Sequence, residues 1–164
     1  MLKQLLAPLI LLMPTAAAGE TWHFEDAQVP IAYVDNGAAQ FQFACRGGDL
    51  AMGFWVRSPE RAVSGAQAMN IAILPDAKQG AKIGSAAGTS FAQDMPLIHS
   101  DGSSMIVRGP VARQWARIAQ GAKQAMSVAF VHRNQKGALE VYDTNRFGAQ
   151  GSASAIKRVL QRCG

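Results

Sequence analysis

The most regular pattern in the chain is an alternation. Phe41, Phe43 and Cys45 take turns with Gln40, Gln42 and Ala44, and after Arg46-Gly47-Gly48-Asp49 the residues Leu50, Met52, Phe54 and Val56 keep the same period of two. Two such runs joined by a Gly-Gly turn predict an antiparallel hairpin with one buried face, Cys45 included. Upstream, residues 22–24 and 31–34 read as strands, and Asp35-Asn36-Gly37 as a hairpin turn, because Asn-Gly accepts positive φ. Residues 70–74 and 104–107 are further strands, stopped by Pro75 and by Gly109-Pro110. Residues 127–132 and 139–142 form a second hairpin around Asn134-Gln135-Lys136-Gly137. Residues 58–68 and 75–103 show no clear period and read as a loop and as long connections, the latter with a short strand near Phe91.

Two stretches change period from 2 to 3.6. Pro110 suits the first position of a helix, since its missing N–H would be unpaired there anyway. Val111, Trp115, Ile118, Ala119 and Ala122 then share one face, and Arg113, Arg117, Gln120 and Gln124 the other. The last helix starts after Gly151, with Ser152 as its N-cap and Ile156, Val159, Leu160 and Cys163 as its apolar stripe. The pattern thus predicts an α+β domain: an antiparallel β-sheet or sandwich with two amphipathic helices and one disulfide.

The N-terminus alters how the rest is read. Lys3, the apolar run from Leu5 to Met13, and Thr15-Ala16-Ala17-Ala18 have the three parts of a secretory signal peptide. The apolar run is shorter than the ~20 residues a bilayer span needs. Ala16 and Ala18 fit the small-x-small rule and place cleavage after Ala18, so the mature chain starts at Gly19 or Glu20. The expected organisation is a leader at 1–18 and one secreted domain at 19–164. The mature form would be periplasmic or secreted and not an integral membrane protein. Of the 164 residues, 146 remain, and loss of Lys3 takes the net charge from +5 to +4. Lys and Arg are scattered without a run, so a nucleic-acid partner is not expected.

Export also bears on the two cysteines. An isolated pair in an oxidising compartment joins, and neither Cys45 nor Cys163 has the close Cys or His neighbours of a zinc site or a C-x-x-C motif. Periodicity independently points both inward. Other chemistry is thin. Ser154-Ala155-Ile156-Lys157 matches a nucleophilic S-x-x-K string but lacks its companion motifs, and Gly84-Ser85-Ala86-Ala87-Gly88 has its serine misplaced for a nucleophile elbow. His23, His99 and His132 stand alone; His99, beside Ser100 and Asp101, is the one place a triad can be drawn on paper. No cofactor or metal is implied. Arg108, Arg113 and Arg117 form the best basic patch, and Trp22, Trp55 and Trp115 serve either the core or a binding surface.

The C-terminal half carries a resemblance. A helix ending at Gly121, a hairpin, then Phe147-Gly148-Ala149-Gln150-Gly151-Ser152-Ala153-Ser154-Ala155-Ile156 and a last helix ending in Cys163 resemble small exported alphaproteobacterial proteins of unknown function. The layout is also similar to the invasion-associated locus B family and to a periplasmic accessory family of type VI secretion, in which an early and a final Cys bracket the domain. The likeness covers residues 40–56 and 105–163. It implies a non-catalytic binding or accessory module of the envelope, whose partner is another envelope protein or an anionic envelope component. The competing expectation is a small envelope hydrolase using His99 or His132.

Overall fold

The computed structural model describes residues 20–78 and 80–163, and the leader expected at residues 1–18 lies outside them. Among the described residues nine strands form one antiparallel sheet. They are β1 (His23–Glu25), β2 (Ile31–Asp35), β3 (Ala39–Arg46), β4 (Asp49–Val56), β5 (Ala68–Pro75), β6 (Ser90–Ile98), β7 (Ser103–Arg108), β8 (Ala125–Arg133) and β9 (Leu139–Gly148). Their spatial order is β1-β2-β3-β4-β7-β6-β5-β8-β9. Three helices, α1 (Arg61–Ser64), α2 (Pro110–Gly121) and α3 (Ser152–Arg162), complete the chain. The fold is therefore α+β, a single curled sheet rather than two.

The alternating hairpin forms in the expected register. Phe41 faces Phe54, Phe43 faces Met52 and Cys45 faces Leu50, all buried, while Gln40, Gln42, Ala51 and Gly53 point to the other side. Gly47 and Gly48 supply the two positive φ values, 60° and 82°, that the tight turn needs. The sheet then curls until its two halves share one core. Phe41 stacks on Phe147 of β9 at 6.0 Å between ring centroids, and Phe54 meets Phe130 of β8 at 4.9 Å. Trp22 joins this cluster against Phe41 and Phe43.

Hydrogen bonds close the seam between the first and last strands. The Trp22 amide donates to the Gln150 carbonyl at 2.9 Å, and its indole Nε1 to the Gly148 carbonyl at 3.0 Å. Asn36 holds its own turn by accepting from the amides of Ala38 and Ala39, and its Nδ2 donates to Asn145 Oδ1 and the Arg146 carbonyl. Helices α2 and α3 pack on each other, α3 also against β1, β2 and β3, and α2 against β4, β5 and β7. Cys45 and Cys163 are bonded, with Cα atoms 5.5 Å apart, which ties the end of α3 to the end of β3.

Four local expectations are corrected. Residues 58–68 are not all loop, because α1 lies within them and buries Val63. Residues 75–103 hold a nine-residue strand, β6, instead of a short one. It pairs with β5 through Ser90 to Pro96 and with β7 only through Leu97 and Ile98, so it is the corner where the sheet turns. A bulged corner strand tolerates Pro96 and blurs the alternation. On α2 the buried face centres on Ala112, Trp115, Ala116 and Ala119, with Val111 and Ile118 only half-buried. The N-cap of α3 is Gly151 at φ 81°, and Ser152 is the first helical residue, fully buried.

Candidate functional site

The outer face of the first half-sheet is built by the residues that alternate with the core. Strand register sets them in cross-strand rows. Tyr33, Gln42, Gly53 and Ile106 form one row, and Asp35, Gln40, Trp55 and Ser104 the next. Because Gly53 has no side chain, its row dips. The result is a trough of about 270 Å³ lined by Gln40, Gln42, Gly53, Trp55, Ser100 and Ser104 among others, with Ile106 at its far side. The Gln42 side chain lies across Gly53, its Cγ and Nε2 3.2 Å from where a Cβ would stand.

One wall of this trough is held rigidly. The Trp55 indole Nε1 donates to the Asp101 carbonyl at 3.0 Å. Gly102 lies so close that a Cβ there would come within 2.8 Å of that nitrogen. The Arg57 guanidinium covers one face of the indole, with Cζ 4.6 Å from the ring centroid. Arg57 in turn forks onto Asp35, with Nη1 3.1 Å from Oδ1 and Nη2 on Oδ2, and also donates to the Gly37 carbonyl. The Arg57 bond holds the Asp35 carboxyl below its ordinary value of 3.8 against the opposing effect of burial, and the Gly37 amide adds to it.

A larger cleft, about 570 Å³, opens on the outside of the second half-sheet. There Ala77, Ile83 and Ala86 pack over β5 and β8, so that Ala72, Leu74, Ala129 and Val131 are buried with Ile83 in a small second core. Lys82, Ser85, Ser127, Leu139, Val141 and Thr144 line the cleft beside it. Exposed Phe91 belongs to a neighbouring hollow with Asn70, Arg133 and Leu139.

The three histidines are not brought together. His99 bonds neither Ser100 nor Asp101. Its Nδ1 is 2.8 Å from Ser103 Oγ and its Nε2 2.8 Å from the Ala66 carbonyl, which must accept. Nε2 therefore carries a proton, and in the neutral ring Nδ1 accepts from the serine. Ser103 is wholly buried and the orienting group is a backbone carbonyl, so this pair joins the β6–β7 turn to the start of β5. His132 is exposed at the end of β8 opposite Glu140. The Glu140 carboxylate, held below its ordinary range first by the Tyr142 hydroxyl and then by the Asn134 amide, adds no nucleophile. His23 stacks on Tyr33 at 5.3 Å. Among the described residues no group of three or more His, Cys, Asp or Glu could hold a metal.

The arginines are partly engaged. Arg108 faces Asp49 at 3.8 Å, and Arg113 Nη2 donates to the Cys163 carbonyl at 3.1 Å. Arg117 is exposed beside a shallow hollow that it shares with Pro110, Arg113 and Gln114. Trp22 and Trp115 are core residues, and Trp55 is the half-buried one. Ser154 and Lys157 are both exposed on α3. The alternation sets Gln40 and Gln42 opposite the buried side of β3, but the trough itself is not written in it. Its other wall comes from β7, and nothing local in the sequence announces that β4 pairs with β7.

No family model matches this chain, and no curated protein matches it. Among solved structures, the crystal structure of invasion associated protein B from Bartonella henselae is similar over 88% of this chain and 94% of that one, at a TM-score of 0.48 and 8% sequence identity. The likeness is one of fold. Among the described residues, no helix is long and apolar enough to cross a membrane.

Proposed function

We propose that this chain is a non-catalytic binding or accessory module of the bacterial envelope, exported to the periplasm or beyond. The observation that carries the reading is the state of the His99–Ser103 pair. It is the one serine–histidine contact in the described residues, and its hydroxyl has no exposure. A nucleophile must reach a substrate carbonyl, and this one is sealed inside the β7 end of the core. Two concave surfaces instead lie on the outer faces of the sheet, on rigid strands, where binding sites are best held. The leader expected from the sequence at residues 1–18 and the bonded cysteine pair support the compartment.

The test is capture of partners from envelope extract by the immobilised mature protein, alongside a screen of the same material for ester, amide and glycoside hydrolysis. Retention of a defined envelope component without turnover is the expected result. Hydrolysis that disappears in His99→Gln or His132→Gln, with folding intact, would overturn the reading in favour of the hydrolase.

A further inference from the structure

We infer that the outer-face trough beside Trp55 is a binding site for a neutral saccharide unit, and so that the partner is a glycan. The inference rests on the reading of the chain as a binding module and names its ligand class.

A pyranose ring presents flat C–H faces and a rim of hydroxyls. Its recognition needs an aromatic wall for the first and amide or hydroxyl groups for the second. The trough has both. Trp55 supplies the wall: it lines the trough, and Arg57, which covers one indole face, leaves the other uncovered by a cation. Gly53 forms the floor, and Gln40, Gln42, Ser100 and Ser104 bring two amides and two hydroxyls to the rim. Among the described residues the Gln40 and Gln42 amides make no hydrogen bond, although both residues are half-buried. Each amide offers two donors and an acceptor, which matches a diol. Neither amide is a buried unpaired group, so both are open to water that a ligand's hydroxyls can replace.

Size and charge narrow the class. About 270 Å³ lies just under the ~300–1,000 Å³ of pockets for drug-sized ligands, which suits one ring unit of a longer chain. No lining residue is charged, and the nearby Arg57 is already neutralised by Asp35. A phosphate or carboxylate would have no free cation here. The wall is fixed before binding by Asp101, Gly102 and the Asp35–Arg57 fork, so little ordering cost falls on the complex. Nothing in the core requires this arrangement, because Trp55 points away from it.

Binding is measured on the mature protein with chitotetraose, cellotetraose and maltotetraose, by tryptophan fluorescence and by amide chemical shifts. Trp22 and Trp115 are buried, so Trp55 reports. At least one neutral oligosaccharide should bind saturably in the millimolar range or tighter, with shifts at Gln42, Gly53 and Trp55. Trp55→Ala should weaken it about tenfold or more, the loss of one stacking face. Gly53→Val should push the Gln42 side chain aside, fill the trough and abolish binding while leaving Trp55 in place and the unfolding midpoint near that of the parent. Absence of any binding, or binding that survives both substitutions, overturns the inference. If no sugar binds yet a protein is still captured from envelope extract, the binding-module reading stands and only the glycan is lost. If neither occurs, both fall.

Discussion

Asp76 sits at φ 46°, a left-handed conformation that Asp tolerates better than most L residues. What it gains is a cap. Its carboxylate accepts from the amides of Lys123 and Gln124 at 2.9 and 2.7 Å, with Ala125 further off at 3.4 Å, and so fixes the passage from α2 into β8. Burial alone would raise its pKa, but these backbone donors outweigh it and hold the carboxyl below 3.8. A depressed folded pKa means stability that is fully present above the unfolded value and lost as pH falls through the folded one. Asp76→Ala should therefore cost about 1 kcal/mol at neutral pH, like a lost helix cap. Urea melts from pH 7 downward should show that difference flat to near pH 4 and closing below 3.8. A difference independent of pH down to full protonation would exclude the charge as its source. Asp143 works with the opposite sign: burial first, then the Glu60 charge, raise its pKa despite the Glu60 amide that it accepts from. Its ionisation costs stability, and mild acid relieves that cost, so Asp143→Asn should remove any rise in stability seen just above the range where Asp35 and Asp76 protonate.

Among the elements, those whose partners are local could be read from sequence, and those whose partners are distant could not. Strands β2, β3 and β4, and the pair β8 and β9, follow from alternation and turn residues because a hairpin is specified within some twenty residues of chain. The pairings of β4 with β7 and β5 with β8 join segments far apart, and no periodicity records which edges meet. Strand β6 escaped for a related reason. A strand that serves two neighbours in turn, with a bulge in its pairing to the first, need not alternate. The last helix was legible because its stripe ends in Cys163, and Cys45 ends the core side of β3. Their bond spans 118 residues, for which the chain-entropy model gives about 4–5 kcal/mol. Cys45→Ser with Cys163→Ser should lose about that much in denaturant melts. The loss should begin in α3, where amide exchange speeds up before that of β3 and β4. Two titratable thiols in unreduced, denatured protein from the periplasm would contradict the bond itself.

At the scale of the whole molecule, a curled sheet has two edges that must not attract other chains. Strand β9 is treated along most of its free edge. Glu20 accepts from the Gly148 amide, Trp22 takes the Gly148 carbonyl, Asn36 takes that of Arg146, Asn145 that of Asp143, and Glu60 accepts from the Asp143 amide. The bulge opposite Ala129, with Asp143 at φ 49°, further spoils the edge as a template. This separates two substitutions that look alike by burial. Phe43 and Trp22 belong to the same aromatic cluster, 6.1 Å apart, and truncating either to Ala should cost about 3–5 kcal/mol. Phe43→Ala leaves a cavity within a closed sheet. Trp22→Ala also removes the indole bond and the weight that holds residues 20–22 against residues 148–150, so the end of β9 comes free. Light scattering across a concentration series, in urea just below each variant's transition, should then show self-association for Trp22→Ala and not for Phe43→Ala. If both variants stay monomeric, the bulge and the Glu60 contact protect this edge without the seam; if both associate, the lost core packing they share, and not the opened seam, is the cause.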